Sequence, residues 1–217
     1  MVNSMNNEIV TTVCKKGQGN SLGTLMRQIA YNTIPCWRPI GYEIEGKDVS
    51  LLHADGTVVQ DMVEFAYNLG ELQFSEAVEI RDDFIKQKYT FKRCLNSDSM
   101  SKEQKLSCTT PNKDILDILG DSSLTIVIYF RKTSGMQDVE HNVNFLESKG
   151  ENVDAIKVMA STHSVIKAFT IKVEEKSLDE ETLTLNVTSK TEDTRAIIKQ
   201  SAKEAVASLN GLIGNLD

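Results

Sequence analysis

Little in this 217-residue chain invites chemistry. Histidine is scarce: His53, His141 and His163 are scattered, and none has a partner at metal-ligand spacing. A zinc site would want close Cys or His pairs, and metal binding by Cys94 and Cys108, single residues at either side of a polar stretch, stays open as the lesser alternative. Cys14, Cys36, Cys94 and Cys108 form no C-x-x-C pair, so they read as small, half-buried thiols. With three prolines and twelve glycines, no low-complexity linker is present. No run approaches the ~18 apolar residues of a membrane span. The opening MVNSMNNEIV lacks the basic-then-apolar order of a secretory signal. A reduced, intracellular protein with free thiols is expected, and a Cys94–Cys108 disulfide is the alternative which that compartment disfavours. Basic charge is short as well. Lys and Arg number 24 against 31 Asp and Glu, a net charge of −7. A domain that grips phosphates alone shows a basic face, so sequence-specific nucleic-acid binding is not expected.

What is present is packing material. Hydrophobic residues make up 40% and charged ones 25% of the chain, enough for one large domain or one domain carrying an insertion. Residues 8–15, EIVTTVCK, are β-branched and short, a strand. GQGN breaks it, and Ser21 stands where a helix cap belongs. Leu22, Leu25, Met26, Ile29 and Ala30 then recur with helical period over Ser21–Asn32, and Pro35 closes the helix. PIGYEIEG, 39–46, reads as a strand and His53–Gly56 as a turn. Met62, Phe65, Ala66 and Leu69 mark a second helix that Gly70 stops. KYTFKRC, 88–94, reads as a strand, and the polar stretch 95–114 as a mobile loop. LTIVIYF, 124–130, is the clearest strand. Segments 165–173 and 182–188 make a hairpin around EEKSLDEE, and a helix over about 192–213 follows, capped by Thr191 or Asp193. Ile198, Ala202, Ala205, Leu209 and Leu212 form its apolar stripe. Repeated βαβ units are missing, so the fold class is α+β with largely antiparallel pairing.

Catalytic groupings fare poorly. GQGNSLG, 17–23, follows a strand and opens a helix, but it has neither the G-x-G-x-x-G order nor a G-K-[ST] ending. Gly17, Gly19 and Gly23 fit a tight turn and a close helix contact better. Ser134, Asp138, Glu140 and His141 admit a triad on paper, with no nucleophile elbow to expose it. The acids Glu174, Glu175, Asp179, Glu180 and Glu181 read as a solvated hairpin tip.

S-L-G-T-L-M-R at 21–27, then Pro35, then I-G-Y-E-I at 40–44, resembles the alpha-like subunits of cellular RNA polymerases. In that family a T-L-G-N-L-L-R or N-S-L-R-R helix is closed by proline and followed by a strand. The smaller partner of the eukaryotic pair matches best over this stretch. From Asp61 to Phe74 the larger partner matches better: its D-E-F-I-A-H-R-L-G-L-I-P-L outline falls in register at Leu69-Gly70, with Tyr67-Asn68 replacing His-Arg. Its E-H-A-K-W motif is similar to Glu140-His141 and Phe145, after strand 124–130 and Gly135. Gln28 stands where a second arginine is common, the cysteine cluster of some larger partners is absent, and 75–165 is short and divergent. This fits a reduced or fast-evolving member, a viral one included.

The resemblance implies a non-catalytic subunit without a cofactor or a metal. It implies a dimerisation domain from 1–58 plus 163–217, a mostly antiparallel sheet with two packed helices, carrying a smaller β-rich inserted domain at 59–162. The interface would use Leu22, Leu25, Met26, Ile29 and Ala30 of the first helix with Ala202, Ala205, Leu209 and Leu212 of the last. The partners would be a second alpha-like subunit, larger or smaller member of the pair being open, and the two large polymerase subunits, with no membrane contact. The setting would be intracellular: the nucleus, or cytoplasm and virion for a viral member. Two rivals stand beside this: a stand-alone α+β protein-binding or adaptor module, and a small enzyme using the Gly17–Gly23 turn or His141.

Overall fold

A computed structural model describes residues 6–46, 58–101, 104–120, 123–189 and 193–214. The chain divides into two compact units, Met1–Pro35 with Ser164–Asp217, and Cys36–His163. Among the described residues secondary structure is mixed, with four helices and mostly antiparallel strands, so the α+β class holds.

In the first unit, β1 (Asn6–Lys15), β12 (Ile166–Glu175) and β13 (Glu180–Ser189) form a three-stranded sheet in the order β1-β13-β12. β1 runs antiparallel to β13 from Asn6↔Ser189 to Lys15↔Glu180 without a shift. Side chains alternate across a strand. Leu183, Leu185 and Val187 of β13 consequently face one side, where they are buried with Ile166 and Phe169 of β12. Helices α1 (Gly19–Thr33) and α4 (Thr194–Gly214) cover that side with Ala30, Ile197 and Ile198.

The second unit is built on a six-stranded sheet. β2 (Cys36–Ile44) and β4 (Phe84–Lys92) flank β8 (Ser123–Thr133), and β3 (Phe74–Glu76) and β6 (Leu106–Cys108) continue from β2. β10 (Lys157–Val158) also pairs with β2. β8 is apolar without alternation because both its faces are covered. Ile126, Ile128 and Phe130 point into the larger core, with Tyr42, Phe65 and Leu72. Val127 and Tyr129 point into a smaller one under α3 (Val139–Ser148), with Ile40, Leu146 and Ile156. Helix α2 (Met62–Gly70) is capped by Asp61, whose Oδ1 accepts from the amides of Val63 at 2.8 Å and Glu64 at 2.7 Å. Its Phe65 meets Tyr42 edge-on with ring centres 4.7 Å apart.

Several expectations need correction. Ser21 does not cap α1; the helix starts at Gly19, and the capping position is Gln18. The strand expected at 39–46 spans Cys36–Ile44, and the one expected at 88–94 starts at Phe84 and ends at Lys92. The expected loop at 95–114 holds β5 (Cys94–Asn96), a 3-10 turn at Ser99–Ser101, β6 and the start of β7 (Asp114–Asp117). Its few apolar residues, Leu95, Met100 and Leu106, are fully buried anchors that a polar average conceals. Gln87 on β4 adds to this, since its side chain hydrogen-bonds both the amide and the carbonyl of Leu106, at 2.6 and 3.2 Å. A first segment of 1–58 would take β2 away from β8, to which it bonds from Cys36 to Ile44. With β2 at its centre, the inserted unit is the longer of the two. The turn expected at His53–Gly56 and the cap expected from Thr191 lie outside the described residues.

Trp37, the sole tryptophan and 3% exposed, reports on the second unit. Replacing Phe65 with Ala removes a fully buried ring and is expected to cost about 3–5 kcal/mol. Urea titration followed by Trp37 fluorescence should show the midpoint falling accordingly; an unchanged midpoint would contradict this core.

Candidate functional site

The expected site residues lie on α1 and α4 of the first unit. Gly17, with φ of +84°, turns the chain out of β1, in the left-handed region that glycine enters freely. Gly19 and Gly23 then lie flat on β12. A Cβ at Gly19 would sit 3.0 Å from Val173 Cγ1, and one at Gly23 would sit 2.7 Å from Ile171 Cγ2. The contact at Gly23 is closer than real Cβ atoms come and the one at Gly19 is tighter than most, so glycine at these positions sets how near the helix comes to the sheet. The tight turn and close contact expected of Gly17, Gly19 and Gly23 are what the structure contains.

That contact orients the rest of α1. Met26 and Ala30 follow Gly19 and Gly23 at helical spacing and turn inward, Ala30 fully and Met26 partly buried in the core. Leu22, Leu25 and Ile29 lie on the adjoining flank. Leu22 is 38% exposed, and Leu25 and Ile29 are half-buried. Among the described residues none of the three belongs to the unit's own core cluster.

The last helix divides in the same way. Asp193 caps it, its Oδ1 accepting from the amide of Ala196 at 2.8 Å. Thr194, Ile197, Ile198, Ser201 and Ala205 are buried. Thr33 at the end of α1 donates to Glu204 Oε2 at 3.2 Å and lies 3.3 Å from Ser201 Oγ, tying the two helices together. Ala202 is half-buried, whereas Leu209 is 47% and Val206 57% exposed. Val206 was not among the expected residues, although its spacing of four from Ala202 and three to Leu209 would have found it. The side chain of Leu212 lies outside the described residues. The nine expected interface positions thus split: Met26, Ala30 and Ala205 serve the unit's interior, and Leu22 and Leu209 are its exposed apolar members.

The groups with chemical potential are engaged in holding the fold. His141 sits in the exposed first turn of α3 with Nδ1 2.7 Å from Oδ1 of the capping Asp138, and Ser134 offers its carbonyl to Gln137 Nε2 at 3.2 Å. Sequence reasoning missed a closer pair, Ser161 and His163 on β11 (Ser161–His163), signalled only by their i, i+2 spacing. Ser161 Oγ lies 2.7 Å from His163 Nε2, the other ring nitrogen lies 3.0 Å from the Cys36 carbonyl, and Asn142 Nδ2 donates to Ser161 Oγ at 3.1 Å. All three side chains are buried, which closes the pair to a substrate. Burial lowers the His163 pKa to about 4, with the Arg38 and Arg131 charges adding to it. The four cysteines form no disulfide with one another. Burial pushes the Cys94 thiol up to about 12, with Asp117 and Asp114 beside it, so little reactive thiolate forms. Among the described residues no cluster of three His, Cys, Asp or Glu could hold a metal ion, and no helix is long and apolar enough to cross a membrane.

No protein-family model matches the chain. Over its full length it is similar to a DNA-directed RNA polymerase subunit alpha of Mycoplasma sp, 26% identical over 231 aligned positions. The chain spans 65% of that relative's length.

Two outcomes follow from this geometry. Gly23→Val forces α1 off Ile171 and should cost about 1–3 kcal/mol, whereas Val206→Asp on the exposed flank should change stability by about 0.5 kcal/mol or less; thermal unfolding followed by circular dichroism separates them. Acid should loosen the second unit. The unfolded chain protonates His163 near its ordinary 6.5, and the fold only near 4, so stability falls as pH drops through that window. A His163→Gln protein should lose about 2 kcal/mol less than the wild type between pH 7 and pH 5; equal losses would contradict the buried neutral imidazole.

Proposed function

We propose that this chain is a non-catalytic assembly subunit of a multisubunit DNA-directed RNA polymerase. In this reading α1 and α4 pair across a pseudo-two-fold interface with a second alpha-like subunit, and the pair is the platform on which the two large catalytic subunits assemble. The observation that carries it is the apolar flank of the two helices, Leu22, Leu25 and Ile29 with Ala202, Val206 and Leu209, which the unit's core leaves over. Obligate interfaces of about 2,000 Å² or more are built from such apolar helical surface with few charges. The similarity to a polymerase alpha subunit supports a partner within such a complex for this flank. The engagement of His141, His163 and Cys94 in the fold agrees with a subunit that does no chemistry itself.

Within the family, the order of motifs around Leu69-Gly70 and Glu140-His141 favours the larger partner of the eukaryotic and archaeal pair. Action inside the cell belongs to the same reading.

Affinity capture of the tagged full-length chain from the organism that encodes it tests this. Two large chains and DNA-directed RNA synthesis should co-purify. Leu25→Asp with Ile29→Asp should reduce both by on the order of tenfold or more, because carboxylates would be trapped in an apolar contact, with the circular dichroism spectrum unchanged. A monomeric chain without large partners would favour the adaptor reading, and a double variant that still assembles would remove α1 from the interface.

A further inference from the structure

Helix α1 begins without the usual local devices. Gln18 occupies its capping position without a side-chain hydrogen bond, and no acid stands in its first turn. The first amides of a helix have no intrahelical acceptor, and the helix end carries partial positive charge. In α1 these groups meet a carboxylate from far along the chain. Glu181, on the helix-facing side of β13 and only 8% exposed, accepts a hydrogen bond from the amide of Gly19. That bond, with help from the amides of Gly17 and Gln18, holds the Glu181 carboxyl below its usual range. The thiol of Cys14, opposite Glu181 in the β1–β13 ladder, points at the same carboxylate from 3.8 Å. Nearby lysines are engaged elsewhere, Lys16 with Glu175 and Lys176 with Glu180. A buried acid needs a compensating partner, and here the helix end supplies it.

The contacts of Gly19 and Gly23 with Val173 and Ile171 bring helix and sheet together but are non-directional. They leave the helix free to slide along its axis. A hydrogen bond from the first helical amide to a carboxylate on a different strand removes that freedom. We infer that Glu181 is the positioning residue of α1, a cap supplied by β13 that fixes where the Leu22–Leu25–Ile29 flank is presented. The cap stands on geometry alone; its bearing on assembly rests on the function proposed above.

Two substitutions in the full-length protein separate capping from space-filling. Glu181→Gln keeps an acceptor oxygen, and Glu181→Met keeps the volume without one. Amide hydrogen exchange is read at three places: Gly19–Leu22, the far end of α1, and α4. The methionine protein should exchange the first-turn amides about fivefold faster or more, with α4 unchanged, and the glutamine protein should stay near the wild type. Capture of the large polymerase chains should fall with the methionine protein and survive with the glutamine one. Wild-type protection in the methionine protein, or equal acceleration throughout the unit in both, would overturn the positioning role. First-turn loss with undiminished capture would overturn the link to assembly and leave the cap. Should the methionine protein not fold, Glu181→Ala, which removes the acceptor without adding bulk, gives the same readout.

Discussion

Ten residue pairs between β1 and β13 hold the first unit together. They join residues 6–15 to 180–189, so the near and far parts of the chain share one sheet, and the whole second unit is spliced between them. Closing such a long loop costs only slightly more than closing a short one, because the entropy grows as the logarithm of its length. Once the ladder forms, β13 presents Leu183, Leu185 and Val187 on one face and α1 and α4 have a surface to settle on. Without it neither helix has a core, since α1 alone has no cap and only a half-apolar surface.

Glycine gives the helix pair its character. The interface role proposed for α1 asks a helix to bury one side against its own sheet and keep apolar residues for another chain, and a single broad stripe would be swallowed by the core. In α1 the two demands are met by different residues. Gly19, Gly23, Met26 and Ala30 take the sheet, while Leu22, Leu25 and Ile29 stand beside them. In α4 the same separation falls between Ile197, Ser201 and Ala205 on one side and Ala202, Val206 and Leu209 on the other. Thr33, Ser201 and Glu204 lock the pair by directional bonds at its inner edge.

Much of this was legible in the amino-acid order, and the failures have physical causes. Strong periodicity located all three amphipathic helices, and the continuous run LTIVIYF marked the strand buried on both faces. The short helix α3 escaped because one of the two positions it buries, Asn142, is polar. The stretch 95–114 was misjudged because three buried apolar side chains outweigh a polar majority. Which face of α1 turns inward was also hidden. Hydrophobicity points to Leu22 and Leu25; Gly19 and Gly23 marked a close helix contact, but only the tertiary neighbours Val173 and Ile171 show that it is made with the sheet. Glu181 read as one more acid in a solvated tip for the same reason: its meaning depends on an amide 162 residues away.

The second unit is a single unbroken segment, while the first is assembled from pieces on either side of it. On the ribosome the chain emerges amino end first. Cys36–His163 is therefore complete and free to fold while β1 and α1 still wait for a strand that has not been made. The flank of α1 has nothing behind it until β12, β13 and α4 arrive. A chain whose translation stops short of α4 keeps a well-formed second unit but offers no docked helix pair. The topology thus makes the first unit, and with it the docked pair of α1 and α4, conditional on translation through α4.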